Sequence, residues 1–330
     1  DVPALGHNVY RILPQAAEPP APPLPDNAAS LENEFYRVEI NPSTGAIETL
    51  TVKDGNWNAL SGPGNVVAME EDRGDFWELY RTLDGGSRIA MKERHDPPQP
   101  GKAVFSTAQT AEPGKTTLGP VMSAFTVSHP FSDKGRFQTT IRLYAGLRRI
   151  DIRTQILNQD SSVRYRVLFP SSIRQGENVH EIPFGAIRRP DGIEFPAQNW
   201  MDWSDGTRGL ALLNRGLPGN NTANGTMMLS LMRSTRIVGY GYVGGYEPGV
   251  GSDSGLELGK ELAFDYSLVP HAGDWRQAKV WQAGQELNQP LIARTATAHP
   301  GPLPPRRGFL SVSHAHVVVS SLAASDKGGA

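Results

Sequence analysis

Short segments in which apolar and polar residues alternate, each closed by a turn, dominate this sequence and constrain its fold. Residues 35–40 (FYRVEI) alternate with a period of two, residues 41–45 (NPSTG) supply a turn, and residues 46–52 (AIETLTV) return. Because successive side chains of a strand point to opposite faces, this pattern predicts a β-hairpin with one buried face. Further strands are predicted at residues 103–107, 121–128, 137–144, 147–157, 163–169, 227–233, 262–269 and 308–312.

Helical periodicity is short and rare, and 35 glycines and 27 prolines are scattered between the predicted strands. The helix-like segment is residues 274–288, where Asp274 is suited to cap the N-terminus and Trp275, Ala278 and Trp281 form an apolar side. We therefore expect an all-β protein, a large two-sheet supersandwich with one short helix.

Composition divides the chain into four parts. Residues 1–13 are predicted to be a strand remnant of a preceding domain. Residues 14–30 are rich in proline and alanine and are predicted to form an extended linker. Residues 31–322 are expected to form the supersandwich, and residues 323–330 a polar tail. Within the supersandwich, the glycine-rich residues 240–259 predict a long mobile loop.

Charge and cysteine content exclude several classes of function. The chain has 32 basic and 34 acidic residues, so no positive excess attracts nucleic acid or an anionic membrane surface. The chain has no cysteine, which excludes disulfides, a thiol nucleophile and cysteine-ligated zinc. No apolar run reaches about 18 residues and no signal peptide is visible, so we expect a cytoplasmic protein of bacterial type.

Several segments resemble, in order and in spacing, the C-terminal region of glycoside hydrolase family 38 α-mannosidases. Any one of them is a weak signal, whereas a series that runs from residue 3 to about residue 322 is specific. The segments are 3–11 (PALGHNVYR), 31–38 (LENEFYRV) with 41–45 (NPSTG), 181–185 (EIPFG) with 189–190 (RP) and 196–202 (PAQNWMD), 209–216 (GLALLNRG), and 268–275 (LVPHAGDW).

This resemblance implies a supersandwich of the galactose-mutarotase type and a function in carbohydrate chemistry. In the family, an upstream α/β barrel holds zinc ligands and the nucleophilic aspartate, and this sequence has no segment that resembles it. We therefore expect the accessory, substrate-completing sandwich of a retaining, metal-dependent α-mannosidase, which is not catalytic alone. Its expected partners are the catalytic barrel and mannose-like glycans. Zinc is expected in the barrel, and no cofactor in this chain.

Residues 180–214 combine aromatic rings with polar side chains, the two kinds of group that bind sugars. By resemblance, Arg189 lies where the sandwich faces the active site of the barrel, either on substrate hydroxyls or paired with Glu181 or Asp202. Asp72 and Trp77 match a stretch of the family that borders the substrate cleft. The predicted substrate-binding residues are Arg189, Trp200, Asp202, Gln198, Asp72, Trp77, His180 and Glu181.

Two other functions remain open from the sequence. One is a stand-alone carbohydrate-binding sandwich, and the other is a glycosidase or mutarotase-like enzyme that acts from the sandwich itself. The second needs a pair of acid–base groups, yet His180 and Glu181 are adjacent and point to opposite faces of a strand. His180 with Asp72 is a further candidate pair. We assign no catalytic residue and no metal ligand in this chain.

Overall fold

The computed structural model describes residues 2–3, 5–13, 29–72, 74–76, 102–110, 112–241, 247–297, 300–314, 317, 319 and 321–323. The chain forms two compact units, one of residues 1–22 and 291–330 and one of residues 23–290. The helices are a 3-10 turn at Ser106–Ala108 and α1 (Val280–Asn288). The strands are β1 (Gly6–Asn8), β2 (Ser30–Glu32), β3 (Tyr36–Ile40), β4 (Ile47–Val52), β5 (Trp57–Asn58), β6 (Val66–Glu71), β7 (Ala103–Phe105), β8 (Lys115–Thr117), β9 (Met122–Phe131), β10 (Gly135–Tyr144), β11 (Ile150–Leu157), β12 (Val163–Pro170), β13 (Glu177–Ile182), β14 (Gly185–Arg188), β15 (Phe195–Pro196), β16 (Trp200–Ser204), β17 (Arg208–Asn214), β18 (Gly219–Ala223), β19 (Thr226–Ser234), β20 (Ile237–Gly241), β21 (Glu247–Gly251), β22 (Glu261–Ala272) and β23 (Arg306–Gly308).

Residues 23–290 contain two large antiparallel sheets. The first has the strand order β14-β13-β16-β17-β22-β11-β10-β9-β8, and the second has the order β15-β18-β19-β12-β6-β7. A four-stranded sheet, β2-β3-β4-β5, and the β20-β21 hairpin complete this unit. In the other unit, β1 pairs with β23. The prediction of an all-β fold with large sheets and one short α-helix is confirmed for the part of the chain that the structure describes.

The main hydrophobic core lies between the sheets. Along β11, buried and half-buried residues alternate strictly, as expected for a strand with one face on a core. The rings of Phe169 on the six-stranded sheet and Tyr266 on the nine-stranded sheet pack edge to face, with their centroids 6.1 Å apart. The Tyr266 hydroxyl donates to Asn65 Oδ1 at 2.9 Å, which satisfies this buried polar group inside the core.

Helix α1 covers the opposite face of the nine-stranded sheet and encloses a second, smaller core. Val280 packs there with Val179 and Trp200, and the Trp200 and Trp275 rings lie 5.1 Å apart. The helix begins six residues later than the sequence predicted, because Lys279 adopts a left-handed conformation (φ 53°). Asp274 still accepts backbone hydrogen bonds from two following residues, so it caps the turn that precedes the helix.

Two segments differ from their predicted structure. The paired strands β20 and β21 overlap the glycine-rich residues 240–259, since extended glycine-containing strands can pair through their backbones alone. Near the C-terminus, the expected strand at 308–312 is instead β23, which ends at Gly308. Here a Cβ at Gly6 of the partner strand would lie 2.2 Å from the Arg307 carbonyl oxygen, so the close approach of the two strands requires glycine.

Candidate functional site

An open groove at the edge of the nine-stranded sheet collects several of the predicted site residues. Its volume is about 850 Å³, within the usual range for pockets that bind small molecules. We call it the polar groove. It is lined by Glu181, Ile182, Pro183, Arg189, Pro196, Ala197, Gln198, Asn199, Gly216, Leu217, Pro218 and Asn288. Among the predicted residues, Glu181, Arg189 and Gln198 therefore meet at one surface.

Glu181 is fixed by the backbone of the segment that faces it. It lies on β13, and its Oε2 accepts the Asn199 backbone N–H at 2.7 Å. Burial raises the pKa of the Glu181 carboxyl group, and the hydrogen bond from Asn199 opposes this shift. The groove thus contains a carboxyl group that the backbone holds in place.

Arg189 follows β14 and is held by both its backbone and its side chain. Its N–H donates to the Asn178 carbonyl oxygen at 2.8 Å, and its guanidinium carbon lies 4.5 Å from the centre of the Phe195 ring. Stacking on Phe195 orients the planar guanidinium group without using its N–H donors. The buried Arg189 Nε has no hydrogen-bond partner among the described residues.

Two buried asparagines that do not line the groove, Asn214 and Asn220, form hydrogen bonds with residues that do. Asn214 Oδ1 accepts the Leu217 N–H, and Asn220 Nδ2 donates to the Leu217 and Pro218 carbonyl oxygens. The other ends of these two amides, Asn214 Nδ2 and Asn220 Oδ1, are buried and lack a partner within the described chain. Buried polar atoms are nearly always hydrogen-bonded, so these two mark a place suited to water or a polar ligand.

Asn199 and Asn288 line the groove but were not among the predicted site residues. Asn288 comes from the last turn of α1, and its Nδ2 donates to the Asn214 carbonyl oxygen at 2.9 Å. Gly284 lets the helix approach, because a Cβ there would lie 2.9 Å from the Trp200 ring. No local signal in the sequence marks Asn288, whereas Asn199 directly follows Gln198.

Trp200, Asp202 and His180 are buried and do not line the groove. Trp200 is 1% exposed and packs against α1, so it offers no ring face to a sugar. Asp202 is fully buried and accepts hydrogen bonds from His271 Nε2 at 2.8 Å and Ser204 Oγ at 2.7 Å. The structure therefore gives Trp200 and Asp202 a role in packing and internal hydrogen bonding.

His180 and Asp72 do not form the acid–base pair considered from the sequence. The fully buried His180 uses Nε2 to contact Asn178 Oδ1 at 3.0 Å, on the nine-stranded sheet. Asp72 follows β6 of the six-stranded sheet and binds Arg233 through both carboxylate oxygens, at 2.6 and 3.1 Å. Trp77 lies outside the described residues.

Replacement of Asp202 by Ala is expected to reduce stability without weakening sugar binding. The change leaves His271 and the Ser204 hydroxyl without their buried acceptor, which costs about 1–3 kcal/mol. Urea unfolding of the variant measures this loss, and Asp54→Ala, which removes an exposed carboxylate in a turn, is the control. Loss of sugar affinity at unchanged stability would instead place Asp202 in contact with the ligand.

Neither a metal cluster nor a membrane span is found in the described part of the chain. No group of three His, Asp or Glu side chains there is arranged to hold a metal ion, so the described residues do not fit the zinc ion that the resemblance implies. No α-helix there is both long and apolar enough to cross a bilayer.

Comparison with known proteins gives a consistent match. Residues 31–237 match the glycosyl hydrolases family 38 C-terminal domain. Alpha-mannosidase 2C1 of Mus musculus is 26% identical over 345 residues, and its human counterpart is 27% identical over 308 residues. These alignments cover 99% and 90% of this chain but only 30% and 27% of the two relatives, so the chain spans less than a third of their length.

The fold is also found in a solved structure. A glycosyl hydrolase family 38 protein from Enterococcus faecalis superimposes with a TM-score of 0.70 at 18% identity, covering 86% of this chain and 35% of that one. The predicted family is confirmed, because the family match covers more than half of the chain. The chain belongs to the glycosyl hydrolases family 38 C-terminal domain family.

Proposed function

We propose that this chain is the accessory, substrate-completing sandwich of a retaining, metal-dependent α-mannosidase. The single observation that carries the proposal is the polar groove, where Glu181, Arg189 and Gln198 meet in a chain of this family. The relatives are named alpha-mannosidases and are more than three times as long as their matched region. The nucleophile, the acid–base carboxyl group and the zinc ion belong, in this proposal, to a catalytic barrel outside these residues.

The groove is suited to a polyhydroxy ligand such as a mannose-like glycan. A sugar hydroxyl both donates and accepts hydrogen bonds, so it needs partners of both kinds. Arg189 supplies donors, Glu181 supplies an acceptor, and the side-chain amides of Gln198 and Asn199 supply both. Hydrogen bonds to the guanidinium are charge-assisted and stronger than those between neutral groups.

The proposed role of the groove is positioning rather than bond cleavage. Binding that is equally strong for substrate and transition state accelerates nothing by itself. When the groove holds one part of a glycan in place, however, the scissile bond is held where the catalytic groups of the barrel act on it. The pair of carboxyl groups of a retaining glycosidase, about 5 Å apart, is therefore expected in the barrel.

Replacement of Arg189 by Ala is expected to weaken binding of methyl α-mannoside by about 1–3 kcal/mol, because the charge-assisted hydrogen bonds are lost. NMR titration of the purified chain suits the expected affinity, in the millimolar range of roughly −4 kcal/mol. Arg188→Ala is a matched control, since Arg188 is the neighbouring arginine and forms an exposed ion pair with Glu177. Thermal unfolding of both variants separates lost binding from lost stability.

Equal affinity of the two arginine variants and the wild type would contradict the role of the groove. Assays of the same preparations with aryl α-mannosides address the alternative functions. Turnover that survives repurification and disappears when a carboxylate of this chain is replaced would favour an enzyme that acts from the sandwich itself. If the isolated chain binds the sugar as tightly as an intact α-mannosidase does, a stand-alone binding module would be favoured.

A further inference from the structure

Phe184 occupies an unusual position at the tip of the β13-β14 hairpin. Ile182 pairs with Gly185, so Pro183 and Phe184 form a two-residue turn. The φ angle of Phe184 is 63°, in the left-handed region, and its side chain is 95% exposed. This bulky aromatic residue therefore combines an unfavourable backbone conformation with almost complete exposure of its ring to solvent.

Within the described part of the chain, neither feature of Phe184 is offset by burial of its side chain. Proline followed by a left-handed residue is the arrangement of a type II turn, whose second central position usually takes Gly or Asn. Burial of the ring would offset this strain, but the ring is exposed. Strained backbone conformations concentrate at functional sites, where the side chain serves a purpose other than stability.

The same turn forms one side of the polar groove. Ile182 and Pro183 line the groove directly, and Glu181 precedes them on the same strand. Phe184 directly follows Pro183 in the chain, so it is the neighbour of a lining residue, although it does not itself line the groove. None of the described residues that line the groove is aromatic. The groove itself consequently offers hydrogen bonds but no flat apolar surface.

A pyranose ring needs both kinds of surface. Its hydroxyls point outward and form hydrogen bonds, whereas one face of the ring presents C–H groups that pack on an aromatic side chain. Trp200 was expected to supply the aromatic surface, but it is buried against α1. Phe195, for its part, is covered by the guanidinium group of Arg189.

We propose that Phe184 is the aromatic platform of the polar groove, stacking on the apolar face of a pyranose whose hydroxyls bind Glu181 and Arg189. The inference rests on the proposed function and assigns the groove to cyclic sugars in particular. An aromatic ring held at the tip of a rigid two-residue turn contacts a ligand with little loss of side-chain entropy. The left-handed backbone of Phe184 fixes the direction in which the ring projects from the hairpin.

The test compares Phe184→Gly and Phe184→Trp with the wild type, using NMR titration with methyl α-mannoside and with the acyclic polyol mannitol. Glycine adopts the left-handed conformation without strain, so Phe184→Gly is expected to melt at the same temperature as the wild type or higher. Its affinity for methyl α-mannoside is expected to fall about 3- to 10-fold, the range set by aromatic stacking. Phe184→Trp is expected to retain binding, and mannitol, which has no ring face, to show no difference between Phe184→Gly and the wild type.

Upfield shifts of the sugar C–H protons are expected with the wild type and Phe184→Trp and not with Phe184→Gly. If Phe184→Gly binds methyl α-mannoside as well as the wild type while Arg189→Ala does not, the platform is disproved and the proposed function stands. If the wild type binds neither ligand, the proposed function fails and the platform with it. Equal losses for mannitol and methyl α-mannoside in Phe184→Gly would also overturn the inference.

Discussion

Replacement of Glu70 by Gln is expected to lower the free energy of unfolding by about 3–5 kcal/mol. Glu70 is 1% exposed, and its carboxylate accepts Arg166 Nε at 2.6 Å and Arg166 Nη2 at 2.9 Å. Arg164 Nη2 lies 3.5 Å from the same carboxylate. Glutamine keeps the shape of the side chain but removes its charge, so an uncompensated positive charge stays buried in the sheet.

The size of this effect follows from the balance of charges in the cluster. Glu194 supplies the second anion: its Oε2 accepts Arg164 Nη1 at 3.2 Å and the Ser230 hydroxyl at 2.9 Å. Two buried cations are thus matched by two carboxylates. The loss of either carboxylate leaves an arginine buried without its counter-charge, so the cost of removing that arginine from water is no longer offset.

Urea unfolding is the appropriate measurement, because a shift of the midpoint at constant slope reports stability alone. Glu39→Gln is the matched control. Glu39 pairs with Arg37, and both side chains are about half exposed, so its loss is expected to cost no more than about 1 kcal/mol. Similar midpoint shifts for the two variants would show that the Glu70 cluster is screened like a surface ion pair.

The sequence predicts those parts of the fold that depend on local patterns. The turn between β3 and β4 is an example: Asn41 Oδ1 accepts the backbone N–H groups of Ser43 and Thr44, and Gly45 has a φ of 75°. Asparagine, proline, serine and glycine favour this conformation through their own covalent structure. Alternation along β11 is equally local, since only one of its faces is buried.

Burial on both faces of a strand is not predictable in the same way. Arg164 and Arg166 alternate with Val163, Tyr165 and Val167, which reads as a strand with one solvent-exposed face, yet both arginines are at most 1% exposed. Glu70, which neutralises them, comes from a strand more than 90 residues earlier. A pairing over such a distance leaves no periodic signal in either segment.

The candidate site, like the fold, was predictable from local sequence only in part. Glu181, Arg189 and Gln198 were expected from a cluster of polar residues, and the structure brings them to one groove. The ring of Trp200, by contrast, is covered by α1, which follows it by 80 residues. Whether an aromatic residue beside polar ones faces a ligand or a helix is a tertiary property, and residue type alone does not decide it.

Acidification from pH 6.5 to pH 4 is expected to destabilise the protein through His180. Burial and, as the second cause, the nearby charge of Arg189 lower the pKa of this fully buried imidazole to about 4. In the unfolded chain the pKa is about 6.5, so between the two values the unfolded state binds a proton that the native state does not. Stability is therefore fully present above about pH 6.5 and falls toward pH 4, by about 3 kcal/mol in total.

Urea unfolding at several pH values measures this loss, and His180→Gln is expected to remove it. Carboxylates also titrate below about pH 5, so the informative quantity is the difference between the wild type and the variant at each pH. His314→Gln, which removes an exposed histidine, serves as the control and is expected to follow the wild type. A difference between His180→Gln and the wild type that does not change from pH 6.5 to pH 4 would disprove the assignment.

The same experiment tests whether the charge of Arg189 acts on the His180 imidazole. Because the positive charge of Arg189 lowers the pKa of His180, Arg189→Ala is expected to raise that pKa toward 6.5. The interval between the native and unfolded pKa values then becomes narrower, and the loss of stability on acidification becomes smaller. Arg188→Ala, whose charge pairs with Glu177 at the surface, is expected to leave the pH profile unchanged. Identical profiles for the two arginine variants would show that burial alone sets the pKa of His180.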